Sequence, residues 1–134
     1  MLFEWLRRRS RGGEQPLERP PRTPRTKTFS ADSGYVYQHR FEGMRSASDG
    51  TEYVFAVTSN RSVWQNVTVR VTRVNVQDWE TVHGRALASN ERYAIAKMAL
   101  FEALDQRRGG PDSPVLVEPR AGDIERFLAS LGLD

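Results

Sequence analysis

His39 and His83 are the only imidazoles in the chain, and there is no cysteine. A general base working near neutral pH therefore has two candidate positions. His83 closes the stretch Asp78–Trp79–Glu80–Thr81–Val82–His83, so two carboxylates lie five and three residues before it. An Asp, a Glu and a His together offer proton transfer or metal ligation. This spacing fits no established ligand pattern, and His39 stands far off in the aromatic run Tyr37–Gln38–His39–Arg40–Phe41. That company marks His39 as a core or rim residue satisfied by a neighbour. The chain also lacks a glycine-rich phosphate loop, a GxSxG elbow and an HExxH helix. Without cysteine it has no disulfide framework, zinc–thiolate site or iron–sulfur cluster. No catalytic residue, metal or cofactor is expected. A small enzyme built on His83 with Asp78 and Glu80 stands third among the functional readings.

Binding residues fall into two groups. The first is a polar face formed by alternate positions: Arg40, Glu52, Thr58, Trp64, Asn66, Thr68, Arg70 and Thr72. Tryptophan and arginine are the usual anchors of a protein interface. On a single-stranded nucleic acid, Trp64 would stack a base while Arg40 and Arg70 follow the phosphates. The same mixture is also routine on the solvent face of an antiparallel sheet. The second group is at the N-terminus, where Leu2, Phe3, Trp5 and Leu6 run into Arg7, Arg8 and Arg9. A secretory signal has the opposite order, with charge before a longer apolar run. An apolar tip followed by arginines suits a membrane headgroup boundary or a groove on a protein.

Charge decides between these partners. The 134 residues carry 20 basic and 17 acidic side chains, a net +3. Residues 1–28 hold eight basic and three acidic residues, so this segment carries +5 and the remainder −2. Attraction to polyanions therefore belongs to the arm, and protein contact ranks above nucleic acid for the polar face. Hydrophobic residues at 38% and charged residues at 28% are ordinary for a soluble chain. No apolar run approaches the ~18–20 residues a spanning helix needs. The leading expectation is a small cytoplasmic, non-enzymatic binding or accessory module. It would contact a protein or an anionic membrane surface through the arm and the polar face. Nucleic-acid binding through the arm with Trp64 and Arg70 is the alternative.

The elements that must position these residues follow from periodicity. Pro16, Pro20, Pro21 and Pro24 disfavour packing, so residues 1–28 read as a disordered basic arm and 29–134 as one α+β domain. Period-two alternation predicts strands over 35–42, 52–58 and 63–72, with a turn from Met44 to Gly50 in which Asp49–Gly50 offers a positive-φ pair. Val74 and Val76 fall out of phase with Val71, which predicts a bulge or strand end near Thr72–Arg73. The irregular stretch 77–88 is a candidate fourth strand. Ser89 or Asn90 caps a long helix with the apolar stripe Ile95, Met98, Ala99, Leu100, Phe101 and Leu104. A short helix near 123–131 shows Ile124, Phe127, Leu128 and Leu131 at helical spacing. The expected architecture is a two-layer α+β sandwich: an antiparallel sheet of three to four strands under one long helix, plus the short C-terminal helix.

Overall fold

Alternate aromatic and valine side chains place one row of each strand against a common core, and the sheet forms around that row. The computed structural model describes residues 16–18, 25–106 and 116–132. Strands β1 (Lys27–Ser30), β2 (Val36–Ala47), β3 (Gly50–Thr58) and β4 (Gln65–Thr72) form an antiparallel meander. A two-residue strand, β5 (Leu116–Val117), adds in parallel beside β4. The sheet order is β1-β2-β3-β4-β5. Three helices complete the fold: α1 (Arg73–His83), α2 (Ser89–Gln106) and α3 (Ala121–Ser130). The class is mixed α+β, with five strands rather than three or four.

One row of the sheet, Tyr37, Tyr53, Phe55, Val57, Val67, Val69 and Val71, is buried against the helices. From α2 come Ile95, Ala96, Ala99, Leu100 and Leu104, with Met98 and Phe101 on its flanks. Val76 and Trp79 of α1 and Ile124, Phe127 and Leu128 of α3 join the same core. Each large side chain so buried favours folding by about 1.5–3 kcal/mol. The cover is thus three helices and not one.

Two departures from the expected elements share a cause, a change of period that simple alternation cannot follow. Strand β2 does not turn at Met44 but continues to Ala47, leaving only Ser48–Asp49 between strands. Phe41 pairs with Phe55 and Gly43 with Val54, so one extra residue bulges between them. The bulge restores the phase and lets Phe41 and Met44 both pack on the core. Gly43 has φ of +142°, and a Cβ there would come within 2.7 Å of the Glu18 carbonyl. Glu18 pairs with Met44 at 2.7 and 3.1 Å through its backbone. The Asp49–Gly50 pair is not the positive-φ turn expected; Gly50 lies in β3, where a side chain would collide with the Val71 carbonyl.

The slip after Val71 is a strand ending in a helix, not a bulge leading to a fourth strand. Thr72 is extended and its hydroxyl accepts from Asn75 N at 3.3 Å, capping α1. Val76 and Trp79 point inward while Val74 and Val82 face solvent. Helix α2 starts as expected, but neither Ser89 nor Asn90 caps it. The Ala88 carbonyl accepts from Glu91 N and Arg92 N, and the Glu91 carboxylate reaches back to Ala88 N at 2.8 Å. Helix α3 begins two residues earlier than its apolar stripe suggests, and Leu131 lies beyond it, exposed. At the N-terminal side, β1 starts at Lys27, within the segment read as arm. Trp5, Arg7, Arg8 and Arg9 lie outside the described residues. Among those described, no helix is long and apolar enough to cross a membrane.

Candidate functional site

The sheet face opposite the helices carries the polar residues singled out above. Antiparallel register aligns Arg45, Glu52 and Arg70 in one row across β2, β3 and β4. Arg45 Nε donates to Glu52 Oε1 at 2.9 Å. Arg70 donates to Glu52 Oε2 through Nε and Nη2, at 3.0 and 2.8 Å. Its remaining Nη1 reaches Glu118, just past β5, at 3.1 Å. Charges therefore alternate across the face, and the Glu52 side chain is only 11% exposed. Burial alone would raise the Glu52 pKa; hydrogen bonds from Arg45 and Arg70 outweigh it and lower the carboxyl below its ordinary value. Arg70 is thus held within the sheet by two carboxylates. Neither Arg45 nor Glu118 stood out in the sequence, because only the β2 bulge and the parallel β5 pairing bring them into the row.

Arg40 and Trp64 meet across the central strand, the guanidinium 4.6 Å from the indole centroid. Arg40 Nε also donates to Glu42 Oε2 at 2.9 Å. Arg40 lies in β2 and Trp64 immediately before β4, toward the end of the sheet where β3 runs into its loop. That same end carries Val36, 51% exposed, Val63, 69% exposed, and Tyr35, whose ring leans on Tyr37 at 6.4 Å. Val63 is not merely frayed. Thr58 Oγ1 accepts from Arg61 N at 3.0 Å, and Asn60 Oδ1 accepts from Ser62 N and Val63 N at 2.9 Å each. Threonine and asparagine thereby build the turn from side-chain oxygens and present an apolar residue outward.

The histidines take other places. His83 Nε2 lies 2.9 Å from Glu125 Oε1 of α3, and its ring stacks on Trp79 at 4.2 Å. Asp78 is exposed, and Glu80 turns away to accept from Leu87 N at 2.7 Å. The Asp78–Glu80–His83 cluster considered from the sequence is therefore not assembled, and no group of three His, Asp or Glu side chains among the described residues is placed to hold a metal. Glu125, the partner His83 actually finds, sits 42 residues onward on another helix and gave no local signal. His39 is buried with its ring edge-on to Phe101 at 5.2 Å. Burial, then Lys97 and Lys27, pull its pKa down to about 4, so it is neutral at physiological pH.

No family model, curated protein or solved structure matches this chain.

Proposed function

We propose that the chain is a small non-enzymatic binding module that meets a partner protein at the Trp64 end of its sheet. The observation that supports this is a division of labour between the middle and one end of the sheet. The charges in the middle of the outer face pair with one another, while Tyr35, Val36 and Val63 stay exposed at the same end of the sheet as the Arg40–Trp64 stack. An aromatic–arginine anchor with an apolar rim matches the composition of protein interfaces. The arm supplies a second contact, its apolar tip around Trp5 and the Arg7–Arg9 run reaching a protein or an anionic membrane surface in a cytoplasmic setting.

Nucleic acid is the weaker partner for the sheet because Arg40 and Arg70 both hold carboxylates at 3.1 Å or less. Polyanion affinity then resides in the arm and falls steeply with salt. The test is quantitative affinity purification with the tagged full chain, Val63→Asp, and Val82→Asp as an exposed control on α1. A partner retained by the wild type and Val82→Asp but lost with Val63→Asp supports the reading. Equal recovery from all three overturns it.

A further inference from the structure

A cleft of about 280 Å³ opens where the β2–β3 hairpin meets α1 and the start of α2, on the helix side of the sheet and apart from the Trp64 end. Its lining includes Thr51, Tyr53, Arg73, Gln77, Glu80 and Arg92. The two arginines differ from the ion-paired ones elsewhere on the fold. Arg40, Arg45, Arg70, Arg85 and Arg126 each have a carboxylate within 3.1 Å. Arg73 has none among the described residues, and Arg92 has only Glu80 at 3.7 Å. The Glu80 carboxylate is itself engaged by Leu87 N at 2.7 Å. Arg92 Nε is buried without a hydrogen-bond partner. A buried donor left unmatched is costly, and such groups are few in native proteins.

Around these cations the lining supplies neutral donors: the Tyr53 phenol, the Thr51 hydroxyl and the Gln77 amide. Burial raises the Tyr53 pKa and the nearby Arg92 charge tempers that rise, and both residues line the cleft. Two guanidinium groups against one carboxylate leave the cleft with a surplus positive charge. Planar guanidinium forks match the oxygens of phosphate and carboxylate groups. The volume lies at the lower end for small-molecule sites, which restricts the occupant to a small metabolite.

We propose that this cleft binds a small oxyanion-bearing metabolite, its phosphate or carboxylate group held between Arg73 and Arg92 with Tyr53, Thr51 and Gln77 as neutral donors. Arg92 grips the anion from the start of α2 and Arg73 from the first turn of α1, so occupancy ties the two helices to the β2–β3 hairpin. Glu80 disfavours a ligand that brings excess negative charge to its side of the cleft. The site is independent of the sheet-end contact proposed above.

The test is an amide and arginine Nε–H NMR titration of the full chain with inorganic phosphate, ribose 5-phosphate, succinate and, as an uncharged control, ribose. Saturable shifts confined to Thr51, Tyr53, Arg73, Gln77 and Arg92 are expected from at least one of the three anions and not from ribose. Saturation by phosphate and ribose 5-phosphate alone assigns a phosphate group, and saturation by succinate alone assigns a carboxylate. Arg73→Gln and Arg92→Gln should each weaken the affinity about tenfold, the loss expected for one charge-assisted contact. Arg61→Gln, on the distant β3–β4 turn, should leave it unchanged. Arg73 is exposed at the helix start, so its variant retains the fold even if Arg92→Gln does not. Shifts that stay linear with concentration, that spread equally to Arg25, Arg61 and Arg120, or that saturate with unchanged affinity in Arg73→Gln overturn the proposal.

Discussion

Replacing His39 by phenylalanine should flatten the acid side of the stability profile. His39 lies on β2, 3% exposed, with its ring against Phe101 and the charges of Lys97 on α2 and Lys27 on β1 nearby. Burial and then those two lysines lower its pKa from 6.5 to about 4. Above pH ~6.5 the ring is neutral in both folded and unfolded chains and adds no pH dependence. Between about 6.5 and 4 the unfolded chain takes up a proton that the folded chain refuses, so stability falls as the pH falls. At 1.36 kcal/mol per pH unit the loss reaches about 3 kcal/mol and levels off below pH ~4, where folded His39 also protonates. His39→Phe keeps an aromatic ring against Phe101 and removes the titration. The assay is urea unfolding of both proteins from pH 4 to 7.5, taking the difference between them so that contributions common to both cancel. The difference should move by about 3 kcal/mol in favour of the variant on going from pH 7 to 4. A difference that varies by less than about 0.5 kcal/mol would refute the burial argument.

Three further outcomes follow from the same contacts. Glu52→Ala leaves Arg45 and Arg70 facing each other across β3 and should cost about 2 kcal/mol in chemical unfolding, whereas Glu118→Ala at the exposed rim should cost under about 1 kcal/mol. Phe101 stacks on Phe29 at 4.4 Å and meets His39 edge-on, so Phe101→Ala should cost about 3 kcal/mol, the low end for a phenylalanine that is only half-buried; a loss below about 1 kcal/mol would contradict the packing. Thr72→Ala removes the oxygen that caps α1 and should lower stability by about 1 kcal/mol, with amide exchange at Asn75 rising before that of the β4 core.

How far the sequence discloses this fold depends on the length over which one period holds. Val67, Val69 and Val71 alternate without interruption, and Ile95 to Leu104 keep a helical stripe, so the sheet core and its main cover are legible from residue types alone. The bulge at Glu42–Gly43 interrupts alternation for a single residue, and that is enough to make the second half of β2 resemble a turn. Helix α1 is hidden for a different reason. Its valines at 74, 76 and 82 favour strands by β-branching, and only Val76 and Trp79 reach the core, too few to show a period. The polar face was legible as a set of residues but not as a set of partners. Arg70 and Trp64 were visible as candidate anchors, yet which one is free depends on Glu52 and Glu118, and the second of these is brought in by a two-residue parallel strand. His83 shows the same limit, because Glu125 becomes its neighbour only once α1 and α3 pack together.

The central claim, that the Trp64 end of the sheet is a contact surface, is tested most directly by placing a photoreactive benzoylphenylalanine at Val63 in the full chain and irradiating living cells that make it. Val63 is 69% exposed on a turn fixed by Thr58 and Asn60, so the probe should be accepted without disturbing the fold. A matched probe at Val82, 77% exposed on α1, is the control. The account predicts a discrete protein adduct from position 63, absent from position 82 and abolished by Val36→Asp. No adduct from position 63, or adducts of equal yield from both positions, would contradict it.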